Sequence, residues 1–336
     1  MAARPGLRRR SFLTGLVACG LCPARAEGRR FRIAFANLDE TPGVTLEGLG
    51  FTSLELRRSF ELAARTLPVD MLYFDNAGDP ARSVANADAA IAAKVDLLIE
   101  YNADAEANAE IARRLSAAAI PALALVNPLP GVPVYGPDNR AAGRLAGQAL
   151  GVFALETWPN EEVLGVLIGD LADPGPAIAD RVQGITEGVH ETLPGLQLAS
   201  LDTGGQSVRA DALLTKFLPT QRGRRLLIAT LDDLAAVYAK NAIEMNRRQS
   251  DCVIVSQGLD RNIHGGASEK KEIDPHNRGS VVLGSVAYYI DRYGYDVLPL
   301  ALRLLAGEKL PRRTVTQHKL ITATDVFREY PPFDMN

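Results

Sequence analysis

Val134–Gly147 reads VYGPDNRAAGRLAG and lies between two halves of the chain that each look like a complete α/β unit. A short apolar strand ends at Tyr135, and Gly136-Pro137 turns the chain. Asp138 or Asn139 can then cap a helix, because their side-chain oxygens accept from its first free N–H groups. Along that helix Ala142, Leu145, Ala146 and Ala149 share one face. Gly143 and Gly147, four residues apart, let another backbone approach closely. This stretch marks the point where the chain leaves one lobe and enters another.

Upstream of it, FRIAFA (31–36) is a strand, followed by a loop over 37–50 containing Gly43, Gly48 and Gly50. Thr52–Leu67 is a helix stopped by Pro68, and Val69–Phe74 a second strand. Asp79-Pro80 opens a helix over 80–93. Val95–Glu100 is a strand, Ala105–Ala119 a helix, and Ile120–Val126 and Val132–Tyr135 are strands. Downstream the pattern repeats. Strands are expected at 163–168, 196–201, 225–229, 252–255, 281–287 and 319–321, and helices at 176–192, 210–217, 234–247 and 299–306. Near-continuous apolar strands alternating with helices indicate right-handed crossovers and parallel sheets covered on both faces. The expected class is α/β, with two Rossmann-like lobes. The polar stretch 264–280 is expected to be a surface loop.

The chain has 336 residues, 47% of them apolar and 23% charged, with a net charge of −3. That balance fits a globular protein and gives no reason to expect a nucleic-acid partner, since no basic stripe follows residue 30. Residues 1–26 read as an export signal. Arg9-Arg10-Ser11-Phe12-Leu13 resembles the twin-arginine motif, Phe12–Leu21 is a short apolar run, and Ala24-Arg25-Ala26 is a cleavage signal. The chain is therefore expected in the periplasm. A rival reading makes Leu16-Val17-Ala18-Cys19 a lipoprotein box, with Cys19 acylated. Cleavage after Ala26 removes Cys19 and Cys22 and leaves Cys252 as a single buried thiol.

In parallel α/β sheets, ligands bind beyond the carboxyl ends of the strands. The residues that follow them are Asn37 and Asp39, then Tyr101, Asn102 and Asp104, then Asn127. In the second half they are Asp170, Asp173, Asp232, Asp233, Asp260, Tyr288 and Tyr289. Carboxylates and amides suit the hydroxyls of a polyol, and a ring face suits its C–H surface. The plainer reading of each acid, Asp104 and Asp233 among them, is a helix cap or turn. Arg181, inside RVQGITEG, is either a solvated arginine or a forked donor aimed across a cleft. No metal-ligand spacing, P-loop or nucleophile elbow is present. Adjacent Asp232 and Asp233 point in different directions and make a poor acid–base pair.

Over residues 31–322 the order of these features resembles the type I periplasmic sugar-binding proteins, the ribose-binding-like solute receptors of ABC importers. The resemblance is carried by Asp79-Pro80, Val95-Asp96, Ile120-Pro121, Asp138-Asn139-x-x-x-Gly143, Arg181-x-x-Gly184, Asp233 and Gly258-Leu259-Asp260. LacI-type repressors share the fold but begin with a helix-turn-helix, where this chain carries its export signal. The resemblance implies a ligand held between lobes joined by three crossovers. One lobe takes 27–137 plus 288–317, and the other takes 138–287 plus 318–336. It also implies closure by hinge motion. Arg181 matches the family's ligand arginine and Asp260 its ligand aspartate. Asp232 lies where an asparagine is common, and Asn127 where an arginine often follows an aspartate. Tyr101 falls near a family asparagine and Tyr288 near a family glutamine. The first loop departs most: a longer Gly-rich segment ending in Phe51-Thr52-Ser53 replaces the usual Asn-Pro-aromatic-aromatic element.

The expected function is non-enzymatic capture of a sugar or sugar-like polyol for delivery to an ABC permease, by a monomer without cofactor or metal. The ligand-binding residues are Phe51, Tyr101, Asn127, Arg181, Asp232, Asp260 and Tyr288. Two other readings are a periplasmic sensor for a histidine kinase or chemoreceptor, and a periplasmic hydrolase using Asp232 with a second carboxylate.

Overall fold

The computed structural model describes residues 29–265, 271–277 and 279–331. The expected export signal and Cys19 lie outside them. The first sheet is built from β1 (Phe31–Asn37), β2 (Val69–Asp75), β3 (Leu97–Glu100), β4 (Ala122–Leu125), β5 (Val134–Gly136) and β11 (Arg313–Val315). The second is built from β6 (Val163–Gly169), β7 (Leu198–Asp202), β8 (Arg225–Thr230), β9 (Cys252–Gly258), β10 (Val282–Ala287) and β12 (Lys319–Thr322). Their orders correspond: β11-β5-β4-β3-β1-β2 and β12-β10-β9-β8-β6-β7. Every pair is parallel except β10 with β12. β3, β4 and β9 are buried along their whole length, which explains their unbroken apolar runs.

The helices are α1 (Ser53–Ala64), α2 (Pro80–Ala92), α3 (Ala105–Ala117), α4 (Asn139–Thr157), α5 (Pro176–Thr192), α6 (Arg209–Phe217), α7 (Asp233–Met245), α8 (Arg261–His264), α9 (Tyr293–Leu305) and α10 (Val326–Glu329). Their starts follow from local chemistry. Thr52 and Glu55 form a reciprocal capping box on α1. Asp79, Asp104, Asp138, Asp232 and Asp260 each accept from a backbone N–H in the first turn of the helix that follows. The plain reading of these acids as caps is thus correct for Asp104. For α7 the cap is Asp232 rather than Asp233. α9 begins at Tyr293, six residues before the expected start, and keeps Pro299 in its interior.

The chain passes between the sheets three times: β5 to α4, β10 to α9, and β11 to β12. His318 ties the three passages together. Its Nε2 accepts from the Asp138 N–H at 2.9 Å, and its Nδ1 lies 3.0 Å from the Ala287 carbonyl. Accepting at one nitrogen and donating at the other requires the neutral ring. Burial lowers its pKa accordingly.

Candidate functional site

The site is built on the contact between α4 and α5, which is set by glycines on both helices. A Cβ on Gly143 would stand 2.1 Å from the Arg181 carbonyl oxygen, and one on Gly147 2.2 Å from that of Ile185. From the other side, a Cβ on Gly184 or Gly188 would stand 2.1 Å from the carbonyls of Arg140 and Arg144. Only backbone fits at these points, so the helices meet at backbone distance. That fixes Arg181 of α5 against Asn139 at the start of α4.

Arg181 is fully buried, not solvated. Its Nη1 donates to the Leu231 carbonyl at 2.6 Å and its Nη2 to Asn139 Oδ1 at 3.0 Å. The guanidinium carbon lies 5.0 Å from the centre of the Tyr288 ring, within reach of a cation–π attraction. The Tyr288 hydroxyl lies 3.1 Å from Asn139 Oδ1 and 3.3 Å from Gln257 Oε1. Among the described residues, Arg181 Nε and Gln257 Nε2 are buried donors without a partner. An oxygen-rich ligand reaching this end of the sheet would supply the acceptors they lack.

The carboxylates stand beside it. Asp232 accepts from Ala235 N–H at 2.7 Å. Asp233 is wholly buried: it accepts from the hydroxyls of Ser256 at 2.5 Å and Ser285 at 2.7 Å, and from the Asp260 N–H at 2.6 Å. It ties the ends of β8, β9 and β10 together and sets the backbone that carries Asp260. Asp260 accepts from the Asn262 N–H at 2.7 Å and its amide at 3.1 Å. Burial, with the like charge of Asp232 adding to it, raises Asp260 to about 6. Burial, and then the charge of Asp260, pushes Asp233 well above the usual carboxylate range. Asp233, with both oxygens taken by the protein, is a positioning group, whereas Asp232 and Asp260 are the carboxylates that could accept from ligand hydroxyls.

The first sheet contributes Tyr101, after β3, and the loop between β1 and α1. The Tyr101 hydroxyl donates to Glu47 Oε1 at 2.8 Å, and the Glu47 carbonyl accepts from Arg181 Nη2 at 3.3 Å. Glu47 therefore joins residues presented by the two sheets. Phe51 is buried in the apolar core together with Leu46 and Leu49. Behind Tyr101, Asn76 donates to buried Glu100 at 2.8 Å. Burial raises Glu100 to about 8, so it is largely protonated at neutral pH.

Of the seven residues selected from sequence, Arg181, Asp232, Asp260 and Tyr288 gather at the carboxyl end of the second sheet. Tyr101 faces them through Glu47. Phe51 closes the base of the loop that carries Glu47. Asn127 follows β4, and no hydrogen bond joins its side chain to the other six among the described residues. Sequence reading missed Glu47, Asn139 and Gln257. Asn139 stands in the sequence as a cap candidate and as part of a motif that carries the resemblance, and neither makes it a partner of Arg181. Gln257 lies one residue inside the end of β9, at a position where only the residues beyond the strand were considered. Nothing in a Gly-rich loop singles out Glu47.

The sequence profile of the periplasmic binding protein domain matches residues 50–309. The chain belongs to that family. Solved structures agree in fold. An arabinose-binding protein from Geobacillus stearothermophilus superposes with a TM-score of 0.69 at 15% identity, covering 90% of this chain and 99% of that one. An ABC transporter periplasmic solute-binding protein from Actinobacillus succinogenes with bound D-allose gives 0.67 at 15%, covering 90% and 100%. A 5-methylthioribose transporter solute-binding protein from Thermotoga lettingae gives 0.65 at 17%, covering 91% and 90%. No curated protein matches the sequence.

Proposed function

We propose that this protein is a periplasmic solute-binding protein that captures a sugar or sugar-like polyol between two lobes and delivers it to an ABC permease. The observation that carries this reading is the buried Arg181 at the carboxyl end of the second sheet, with Asp232 and Asp260 at the same strand ends and Tyr101 joined to it through Glu47. A forked cation can donate to ring or hydroxyl oxygens while carboxylates at the same strand ends accept from hydroxyls. Buried polar groups of this kind discriminate sharply, because a wrong ligand leaves them unpaired. The ligands named for the arabinose-, D-allose- and 5-methylthioribose-binding relatives in fold belong to the same chemical class.

Phe51, Tyr101 or Tyr288 is assigned to cover the sugar's C–H face, and Asn127 is assigned to the ligand-binding set with them. The lobes are assigned to 27–137 plus 288–317 and to 138–287 plus 318–336, with closure about the three crossovers. Residues 1–26 are assigned to export, and the mature protein is taken to act as a monomer. No helix among the described residues is long and apolar enough to cross a membrane. A thermal-shift screen of the mature protein against sugars and polyols tests the reading, since a ligand that prefers the folded state raises its melting temperature. A rise with at least one pentose or hexose is expected. A flat response to every sugar and polyol would reject it.

A further inference from the structure

Residues 45–52 form a small hairpin within the first lobe. Thr45 and Thr52 pair as an antiparallel bridge, the Leu46 N–H donates to the Phe51 carbonyl at 2.7 Å, and the Leu49 N–H donates to the Leu46 carbonyl at 2.9 Å. The turn residues, Glu47 and Gly48, have φ of 56° and 64°. This is the sign pattern of the tight turn that suits a twisted hairpin. Glycine adopts it freely, whereas glutamate does so only at a cost in free energy. A strained residue persists where its surroundings hold it.

Those surroundings belong to both lobes. The Glu47 carboxylate takes the Tyr101 hydroxyl, and its carbonyl takes Arg181. A Cβ on Gly48 would touch Ile178 of α5 at 3.7 Å, and one on Gly50 would overlap Asp260 Oδ2 at 1.4 Å. Leu49 reaches Gly258 at the end of β9, since a Cβ built there would lie 3.7 Å from its side chain. The hairpin therefore sits between the two strand-end rims. Through Glu47 it makes there the contact with Arg181 that the sugar reading gives to a ligand oxygen, and it occupies the Tyr101 hydroxyl as well.

We propose that residues 45–50 are a tethered occupant of the interlobe site, clasping the lobes together through Tyr101 and Arg181 until a ligand takes those places. The occupancy stands on geometry. Only the class of displacing ligand rests on the sugar-binding reading: it must offer one acceptor to Arg181 and another to Tyr101.

The test uses no ligand, so its failure and that of the sugar reading are separable. Spin labels are placed on exposed helix positions of the two lobes, through Ala85→Cys on α2 and Ala212→Cys on α6. The buried native Cys252 stays unlabelled. Electron–electron distance measurement on the full mature chain is expected to give one narrow distribution. Excision of Leu46–Leu49, replaced by Gly-Ser, is expected to broaden it and move it to longer separations. A second variant, Glu47→Gly, keeps the chain length and decides the matter if the excised form does not fold. It is expected to widen the same distribution. Unchanged separations in Glu47→Gly, or in a folded excised form, would overturn the proposal.

Discussion

The two strand-end rims that face each other are built differently. At the strand ends of the second sheet, Arg181, Asp233, Asp260 and Tyr288 are held by bonds to groups at that same end: Leu231, Asn139, Ser256, Ser285 and Asn262. The first lobe presents Tyr101 with a neutral, buried Glu100–Asn76 pair behind it, and otherwise reaches across with a strained hairpin. One rim is held by its own hydrogen bonds, and the other meets it through the hairpin. The charges that would recognise a ligand sit on the first of these, where their cost of desolvation is met by bonded partners. Under the proposal above, the hairpin is the element that gives way.

Breaking the hydrogen-bonded rim should have the largest effect. Asp233→Ala leaves two buried serine hydroxyls and the Asp260 N–H without their acceptor, and should cost ~3 kcal/mol or more in chemical denaturation. Asp233→Asn, which keeps one acceptor oxygen, should recover part of it. Equal losses for the two would mean that volume, not hydrogen bonding, matters there. Gly143→Val drives a side chain into the Arg181 carbonyl and should cost about 1–3 kcal/mol through overpacking of α4 on α5. A neutral result would show that the helices separate freely, and the rim with them.

A pH series sharpens the contrast at the crossovers. The His318 pKa lies below its unfolded value of about 6.5, so the neutral ring is the form that folding favours. Its stabilisation is therefore complete above pH ~6.5 and is lost as pH falls below it. His318→Gln keeps an acceptor for Asp138 and a donor for Ala287 but does not titrate. The stability advantage of wild type over this variant should shrink between pH 7 and pH 5. A constant difference would remove His318 as a titrating clasp. The smallest effect is expected at the exposed edge of the α4–α5 pair. Arg140 Nε meets Glu187 at 2.9 Å, but both side chains are substantially exposed. Glu187→Gln should change stability by less than about 0.5 kcal/mol.

The alternation of strands and helices was legible because each central strand is an unbroken apolar run and most helices open on an acid. Two elements were not. β11 is three residues, Arg313-Thr314-Val315, paired only through the distant β5, and has no apolar period of its own. The start of α9 was misplaced because Pro299 reads as a first-turn proline, whereas the helix continues through it from Tyr293. For the site, position after a strand identified Asp232, Asp260, Tyr101 and Tyr288, and resemblance identified Arg181. Glu47 was invisible because its role comes from a tertiary contact between two lobes. A Gly-rich loop with two leucines looks exposed until Leu46 and Leu49 are found buried.

The most direct test of the central claim is calorimetric titration of wild type, Arg181→Ala and Asp260→Ala with the sugar that gives the largest thermal shift. Saturable binding to wild type is predicted, weakened by ~2 kcal/mol or more, roughly 30-fold, in each folded variant. Wild-type affinity in both variants would contradict the claim that the ligand is gripped at this rim.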